Sequence, residues 1–327
     1  MQAVLCREWG PPEKLSFESA PPPALFPTGV RIRVHAAGVN FADLLMITGQ
    51  YQEKHPFPFT PGLEIAGTVM ECGAEVEGLV PGMRVMAIPR HGGFAEEVVA
   101  ESAATFPIPD GLDFVHAAGF AVAYGTAHGA LAWRADLQAG ETLLVHGAGG
   151  GVGLTAVEVG KAMGARVIAT ASSAEKLALA RAHGADVGID SQAEDIRARV
   201  KELTGGRGAD VVYDPVGGPV FDASLRAIAW GGRIVLIGFA SGTVPQIPAN
   251  VLLVKNVAAF GFAWGAYIER KPALVRESFA TLFRWWEEGR LKPHVSETFP
   301  LADAGEALNR LKTRRATGKI VLVSKRP

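Results

Sequence analysis

The sequence predicts an α/β protein built from two unlike parts, a short-stranded β segment followed by a doubly wound parallel sheet. Three observations carry this. Up to about residue 120 the chain is rich in Pro and Gly, with short β-like runs between turn signals. From about Tyr124, apolar strand-like runs alternate with helical patterns. Parallel strands produce that texture, because each needs a crossover helix to reach the next. After residue 270 come two helical patterns (271–288 and 303–313) and a last strand-like run, "GKIVLVS", which could rejoin the first part.

In the first part the β-like runs are "VRIRVHAAGV" (30–39), "EIAGTVMECG" (64–73), "GMRVMAI" (82–88) and "GFAEEVVA" (93–100). In the second part "TLLVHGA" leads to a helix at 152–164, then "RVIATA", a helix at 174–183, "DVGID" and a helix at 193–203. "DVVYDPVG", a helix at 220–230, "RIVLIGF" (233–239) and "VAAFGFAW" complete the alternation. Strands this apolar suit a sheet covered on both faces.

The chain has 327 residues, more than one average core serves, and 48% of them are hydrophobic. A net charge of -1 with mixed signs gives no footprint for nucleic acid and no polybasic membrane patch. The two cysteines, Cys6 and Cys72, point to a reducing compartment rather than a disulfide framework. Arg7 and Glu8 interrupt the N-terminus before any signal-like run, and no apolar stretch reaches the roughly 18 residues of a membrane helix. A cytoplasmic protein is expected.

The strongest local signal is "VHGAGGGVG", where Ala148-Gly149-Gly150-Gly151-Val152-Gly153 joins a strand to a helix. A dinucleotide loop needs glycine for a tight turn, for close approach of the pyrophosphate, and for helix–sheet contact. The helix N-terminus then offers free N–H groups to the phosphates. In this fingerprint Ala148 stands at the first glycine position, with Gly150 and Gly153 at the other two.

The next strand ends in Ala171-Ser172-Ser173, with Lys176 one helical turn on. NAD sites place a carboxylate there for the ribose 2′-hydroxyl, and a carboxylate would repel a 2′-phosphate. Two hydroxyls and an ammonium suit a phosphate dianion, so NADPH is the expected cofactor. Ser173 also reads as a helix N-cap and Lys176 as a surface residue; both readings can hold together.

At this point the chain resembles the zinc-free quinone oxidoreductase branch of the medium-chain dehydrogenase/reductase superfamily. The resemblance covers nearly the whole length and rests on "AAGVNFADLLMITGQY", "PGLEIAGTV", "VHGAGGGVG", "RVIATASSAEKLALARAHGAD", "LRAIAWGGRIVLIGFASGTVPQIPANVLLVKN" and "TGKIVLV". It implies a GroES-like β domain (1–121, completed by 289–327), a Rossmann domain (122–288) and an active cleft between them. NADPH and a homodimer are implied as well.

Zinc-dependent relatives carry Cys where this chain has Asn40 and Gly-His-Glu where it has Gly62-Leu63-Glu64. Zinc needs about three protein ligands even at an open catalytic site. Glu64 and Asp43 are poor company for it, and His35, His91, His116 and His128 show no ligand spacing. No metal is expected.

Without a Lewis acid, hydride transfer suits an acceptor that delocalises charge, such as a quinone or an enone. The resemblance assigns Asn40 to the nicotinamide end of the site, with Asp43 and Tyr51 along the same segment. A phenol can donate a hydrogen bond or a proton at neutral pH. Asn40 also reads as a turn residue, Asp43 as a helix N-terminal charge and Tyr51 as a packing aromatic.

Leu45 replaces a second tyrosine of better-known relatives, and Ser191 replaces a tyrosine near the 2′-phosphate. The resemblance further implies, by position, cofactor contacts at Thr126, Phe239, Phe262, Trp264 and Lys319. Phe262 and Trp264 would wall an aromatic substrate or simply pack in the core, and "LKTRRATGK" reads as a solvated face with a phosphate contact or two. The leading expectation is NADPH-dependent reduction of a small quinone or related conjugated carbonyl. The alternatives are reduction of an enoyl-thioester or alkenal double bond, and an NADPH-binding protein without catalysis.

Overall fold

The computed structural model describes residues 1–324. Backbone contacts divide the chain into two compact units, one of Met1–Val122, Ile268–Pro272 and the C-terminal stretch from Pro293, the other of Ala123–Tyr267 and Ala273–Lys292.

The first unit is organised by a seven-stranded sheet ordered Val295–Pro300, Lys319–Val323, Gly29–Val39, Ile65–Cys72, Arg84–Ala87, Thr105–Pro107, with Glu97–Glu101 paired to Gly29–Val39. Period-two alternation explains the long central strand. Val30, Ile32 and Val34 are buried while Arg33 is exposed. The last strand lies antiparallel to Gly29–Val39, with Ile320 opposite Val39. That pairing brings the chain end home. A further antiparallel pair, Gln2–Leu5 with Ser16–Ser19, adds a hairpin-like ribbon. Gly10-Pro11-Pro12 in the connection is a turn signal, but runs of four residues are too short for their alternation to mark them in sequence.

The second unit is a six-stranded parallel sheet ordered Val187–Asp190, Arg166–Ala171, Thr142–Val145, Ala209–Asp214, Ile228–Leu236, Ala258–Gly261. The strand order reverses at Thr142–Val145, the position at which a doubly wound sheet opens a crevice at its carboxyl edge. Helices Gly151–Ala162, Ala174–Ala182, Ile196–Leu203, Pro219–Ala227 and Ala249–Lys255 lie in the crossovers.

Several boundaries differ from the sequence reading by a few residues, and the largest shift follows the strand Ala209–Asp214. The helix expected at 220–230 ends at Ala227, and the strand expected at 233–239 is Ile228–Leu236. Ile228 pairs with Ala209, and the ladder shifts register before Val211. Gly231, at φ +75°, favours the bend over helix continuation. Phe239 therefore lies beyond the strand, 37% exposed, rather than at its end. The helices Phe41–Ile47 and Ala249–Lys255 have no long amphipathic signature; the latter buries no residue at all.

Gly67 shows how tightly the β unit is packed. A Cβ there would stand 1.9 Å from the Arg33 carbonyl oxygen across the ladder. Gly67→Ala is expected to cost about 1–3 kcal/mol or more, read as a lowered urea midpoint with an unchanged slope. An unchanged midpoint would show that the strands part without cost.

Candidate active site

The first set of site residues lies in the β unit. Asn40 follows the strand Gly29–Val39 and precedes the helix Phe41–Ile47. Its backbone N–H donates to Asp43 Oδ2 at 2.8 Å, so Asp43 orders the first turn from below. The Asn40 side chain makes no cap bond, because it is taken up elsewhere. Asn40 Nδ2 donates to Glu64 Oε1 at 2.9 Å and to the Gly38 carbonyl at 3.4 Å, and Oδ1 accepts from Lys319 Nζ at 2.8 Å.

Lys319 is buried and its three hydrogens are all spent. They go to Asn40 Oδ1, to the Val39 carbonyl at 3.2 Å and to Glu64 Oε1 in a short ion pair. Glu64, with no exposed surface, also accepts from the Val122 amide at 2.9 Å through Oε2. Gly38 lies against this cluster; a Cβ there would stand 2.5 Å from Glu64 Oε1.

Two expectations change here. Lys319 is not part of a solvated basic face with a phosphate contact, since its ammonium is enclosed by three acceptors. Asn40 has both amide hydrogens engaged, so it can offer a ligand only the remaining lone pair of Oδ1. Glu64, weighed above only as a metal ligand, is the centre of the arrangement.

Asp43 is fully buried, and its Oδ1 has no hydrogen-bond partner. Burial pushes its carboxyl up to about 7, and the Glu64 charge adds to the rise, against the Asn40 and Gly62 amides and the Lys319 charge. Tyr51, half-buried against the β core, has its phenol pushed up by burial and by the Glu53 and Asp43 charges.

The second set lies in the parallel-sheet unit. The tight turn belongs to Gly147, at φ +58°, and not to Ala148, which is buried and donates its N–H to the Thr170 carbonyl at 2.9 Å. The glycine requirement of the turn therefore falls one residue earlier than the fingerprint suggested. Gly150 is the N-cap of the helix Gly151–Ala162 and supplies no side chain to the first-turn amides. Those of Gly151, Val152 and Gly153 thus begin a helix with its dipole uncapped. Around Gly150 there is room, since a Cβ would meet only the Gly147 carbonyl oxygen at 3.5 Å. Gly153 has none: a Cβ would stand 2.2 Å from that same oxygen. One glycine is open to a ligand, and the other seats the helix.

Ser173 accepts from the Lys176 amide at 3.3 Å and caps the helix Ala174–Ala182. Ser172 beside it is exposed. The Lys176 stem lies over the glycine turn, so that a Cβ at Gly149 would stand 2.6 Å from Lys176 Cβ. Ser191 donates its hydroxyl to the Ala171 carbonyl at 3.0 Å, joining the ends of two neighbouring strands. Thr126 is buried on the helix Ala121–His128. Phe262 and Trp264 are buried in an aromatic cluster with Trp133, and Trp264 seats against Gly125 and edge-on to Phe279. The core reading of these two rings fits better than an open wall.

Comparison with known proteins agrees with this geometry. An alcohol dehydrogenase GroES-like domain model matches residues 27–110, and a zinc-binding dehydrogenase model matches residues 151–284. A quinone oxidoreductase-like protein 2 homolog of Nematostella vectensis is 44% identical, over 99% of this chain and 89% of its own. The chain belongs to the quinone oxidoreductase-like branch of the medium-chain dehydrogenase/reductase superfamily. Among solved structures, a mycobacterial protein complexed with NADPH matches at a TM-score of 0.93 with 34% identity, over 99% of this chain and 100% of its own. An Escherichia coli quinone oxidoreductase complexed with NADPH also matches at 0.93, with 28% identity over 99% and 100%.

The chain is thus a medium-chain reductase with an α/β fold of GroES-like and Rossmann parts. One family model takes its name from zinc, and the residues here do not fit that ion. Glu64 Oε1 and Asn40 Oδ1 are already bound to an ammonium. Among the described residues no group of three or more His, Cys, Asp or Glu side chains could hold a metal.

The raised Asp43 carboxyl sets a pH dependence for this reductase. Its unfolded-state value is near 3.9 and its folded value about 7, so across that window the native state holds the extra proton. Stability contributed by the neutral carboxyl is therefore lost as pH rises from about 4 to about 7, on the order of a few kcal/mol. Asp43→Asn is expected to flatten that slope in urea unfolding at pH 5 and pH 8. An identical pH dependence in the variant would place the titration elsewhere.

Proposed function

We propose that this reductase uses NADPH to reduce small quinones or related conjugated carbonyls by direct hydride transfer, with no metal. The observation that carries the reading is the strand end after the glycine turn. It presents Ser172, Ser173 and Lys176, with the Lys176 stem lying on Gly149; the strand itself ends without an acid, and the first carboxylate, Glu175, is exposed in the turn of helix that follows. Two NADPH-complexed structures of the same fold support it.

The residues that would hold the cofactor are the amides of the Gly150–Gly153 turn for the pyrophosphate, and Ser172, Ser173 and Lys176 for the 2′-phosphate. The chemistry such a cofactor supplies is a hydride at the nicotinamide ring. For the acceptor, the clamped Asn40 amide gives a fixed polar wall that does not rotate to follow a ligand. Tyr51 is the residue assigned to hydrogen-bond donation, since a phenol stays protonated at neutral pH. A conjugated acceptor asks no more, because its charge spreads over the ring or enone.

NADPH is expected to bind at least about tenfold more tightly than NADH, about 1.4 kcal/mol, in a tryptophan-fluorescence titration. Lys176→Ala should erase that gap without weakening NADH. Equal binding of the two cofactors to the wild type would remove the basis for NADPH. NADPH oxidation with 1,4-benzoquinone, 1,2-naphthoquinone, a 2-alkenal and crotonyl-CoA then identifies the acceptor, and turnover confined to the last two would replace quinone by double-bond reduction.

We also propose a homodimer formed through the parallel-sheet unit. Ala258–Gly261 is an edge strand; Trp230, in the neighbouring strand Ile228–Leu236, and Leu253 and Val254, in the helix just before the edge strand, are each at least 75% exposed. Apolar surface of that kind beside an open edge suits a second copy of the chain. Leu253→Glu should shift the mass measured by light scattering from dimer to monomer; a monomeric wild type would end this reading.

A further inference from the structure

His146 is fully buried, directly precedes the Gly147 turn, and has no part in the function proposed above. Its Nδ1 lies 2.9 Å from Thr170 Oγ1 and its Nε2 lies 2.6 Å from Ser224 Oγ. The second partner of Ser224 fixes the directions of these bonds. Ser224 donates its hydroxyl hydrogen to the Val220 carbonyl at 2.9 Å. It must then accept from His146, so Nε2 carries the proton and Nδ1 accepts from Thr170.

Thr170 holds the turn twice. Its hydroxyl binds His146, and its carbonyl accepts from the Ala148 amide on the far side of Gly147. The imidazole is thereby strapped between the strand Arg166–Ala171 and the helix Pro219–Ala227, while the His146 amide bonds the Tyr213 carbonyl. On the adjoining strand, Asp214 Oδ1 accepts from Val216 and Gly217, and Val216 packs against Gly147. Asp214 is the charged group that faces the ring.

We infer that His146 is a positioning residue for the cofactor turn: through Thr170 and Ser224 it fixes where Gly147 reverses the chain, and so where the Gly150–Gly153 amides point. The consequence for NADPH rests on the cofactor reading given above; the consequence for the free protein does not. His146→Leu removes both ring bonds at similar volume. His146→Gln keeps one acceptor and one donor on a neutral side chain.

The experiment is amide hydrogen exchange at Ala148 in the free protein, together with NADPH titration and steady-state kinetics. For His146→Leu, exchange at Ala148 should rise at least about tenfold relative to Val212 in the central strand. The dissociation constant for NADPH should rise about tenfold or more, with kcat at saturating cofactor little changed. His146→Gln should restore both readouts. If the leucine variant does not fold, Thr170→Val, which removes only the hydroxyl, should reproduce the exchange and binding changes. Wild-type exchange and affinity in a folded leucine or valine variant would overturn the inference. So would a glutamine variant that behaves like leucine. If the wild type itself does not bind NADPH, the cofactor reading fails separately and the Ala148 exchange alone decides.

Discussion

Much of the β unit depends on one buried ion pair. Glu64 and Lys319 are 255 residues apart in sequence and meet where neither has appreciable access to water. Taking two charges out of solvent costs several kcal/mol each, and their attraction offsets this only when every remaining hydrogen and lone pair finds a partner. The surroundings meet that condition. Three acceptors enclose the ammonium, and Asn40, Lys319 and Val122 donate to the carboxylate. The pairing of the last strand with Gly29–Val39 is what brings Lys319 to Glu64, and the bonds to Glu64 and Lys319 hold the Asn40 amide in place. Gly38 is glycine because the carboxylate and the Ala118 carbonyl leave no space for a side chain.

The parallel-sheet unit solves a similar problem with neutral groups. At the carboxyl ends of its central strands the chain must reverse at Gly147 and leave helix amides facing outward. Polar atoms gather there, and burying them without partners would be expensive. His146, Thr170 and Ser224 satisfy one another in a chain with a defined hydrogen at each link. Glycine serves opposite purposes within a few residues: Gly153 permits contact between helix and turn, while Gly150 keeps the approach clear.

The architecture was legible because it is written in local periodicity. Alternating strand and helix textures after Tyr124, and period-two runs before it, are short-range signals. The site was legible only in part. The positions of Ser172, Ser173 and Lys176 beside the glycine turn are legible because the loop and the strand end sit at a fixed offset. Lys319 could not, because nothing in "LKTRRATGK" separates the one buried cation from its solvated neighbours. Its burial is decided by an antiparallel pairing with residues near 39, a long-range contact that leaves no trace in spacing. Glu64 was hidden for the same reason, since its partner lies at the other end of the chain. Trp230 fell on the wrong side of a helix end because Gly231 and the pairing of Ile228 outweigh the helical pattern.

The ammonium also bears on which chemistry this chain can perform. A zinc ion and a lysine side chain both place positive charge near the Asn40 and Glu64 oxygens, but they differ in what they have left to give. A catalytic zinc keeps an open coordination position for a reacting oxygen. Lys319 keeps none, its three hydrogens being directed at Val39, Asn40 and Glu64. An oxyanion at this point would have to displace an existing acceptor from a closed, buried set. A substrate that builds full alkoxide charge is therefore poorly served. On the proposed reading, an acceptor that delocalises the incoming electron pair over a conjugated system would need only a fixed polar surface, and the clamped Asn40 amide would be that surface.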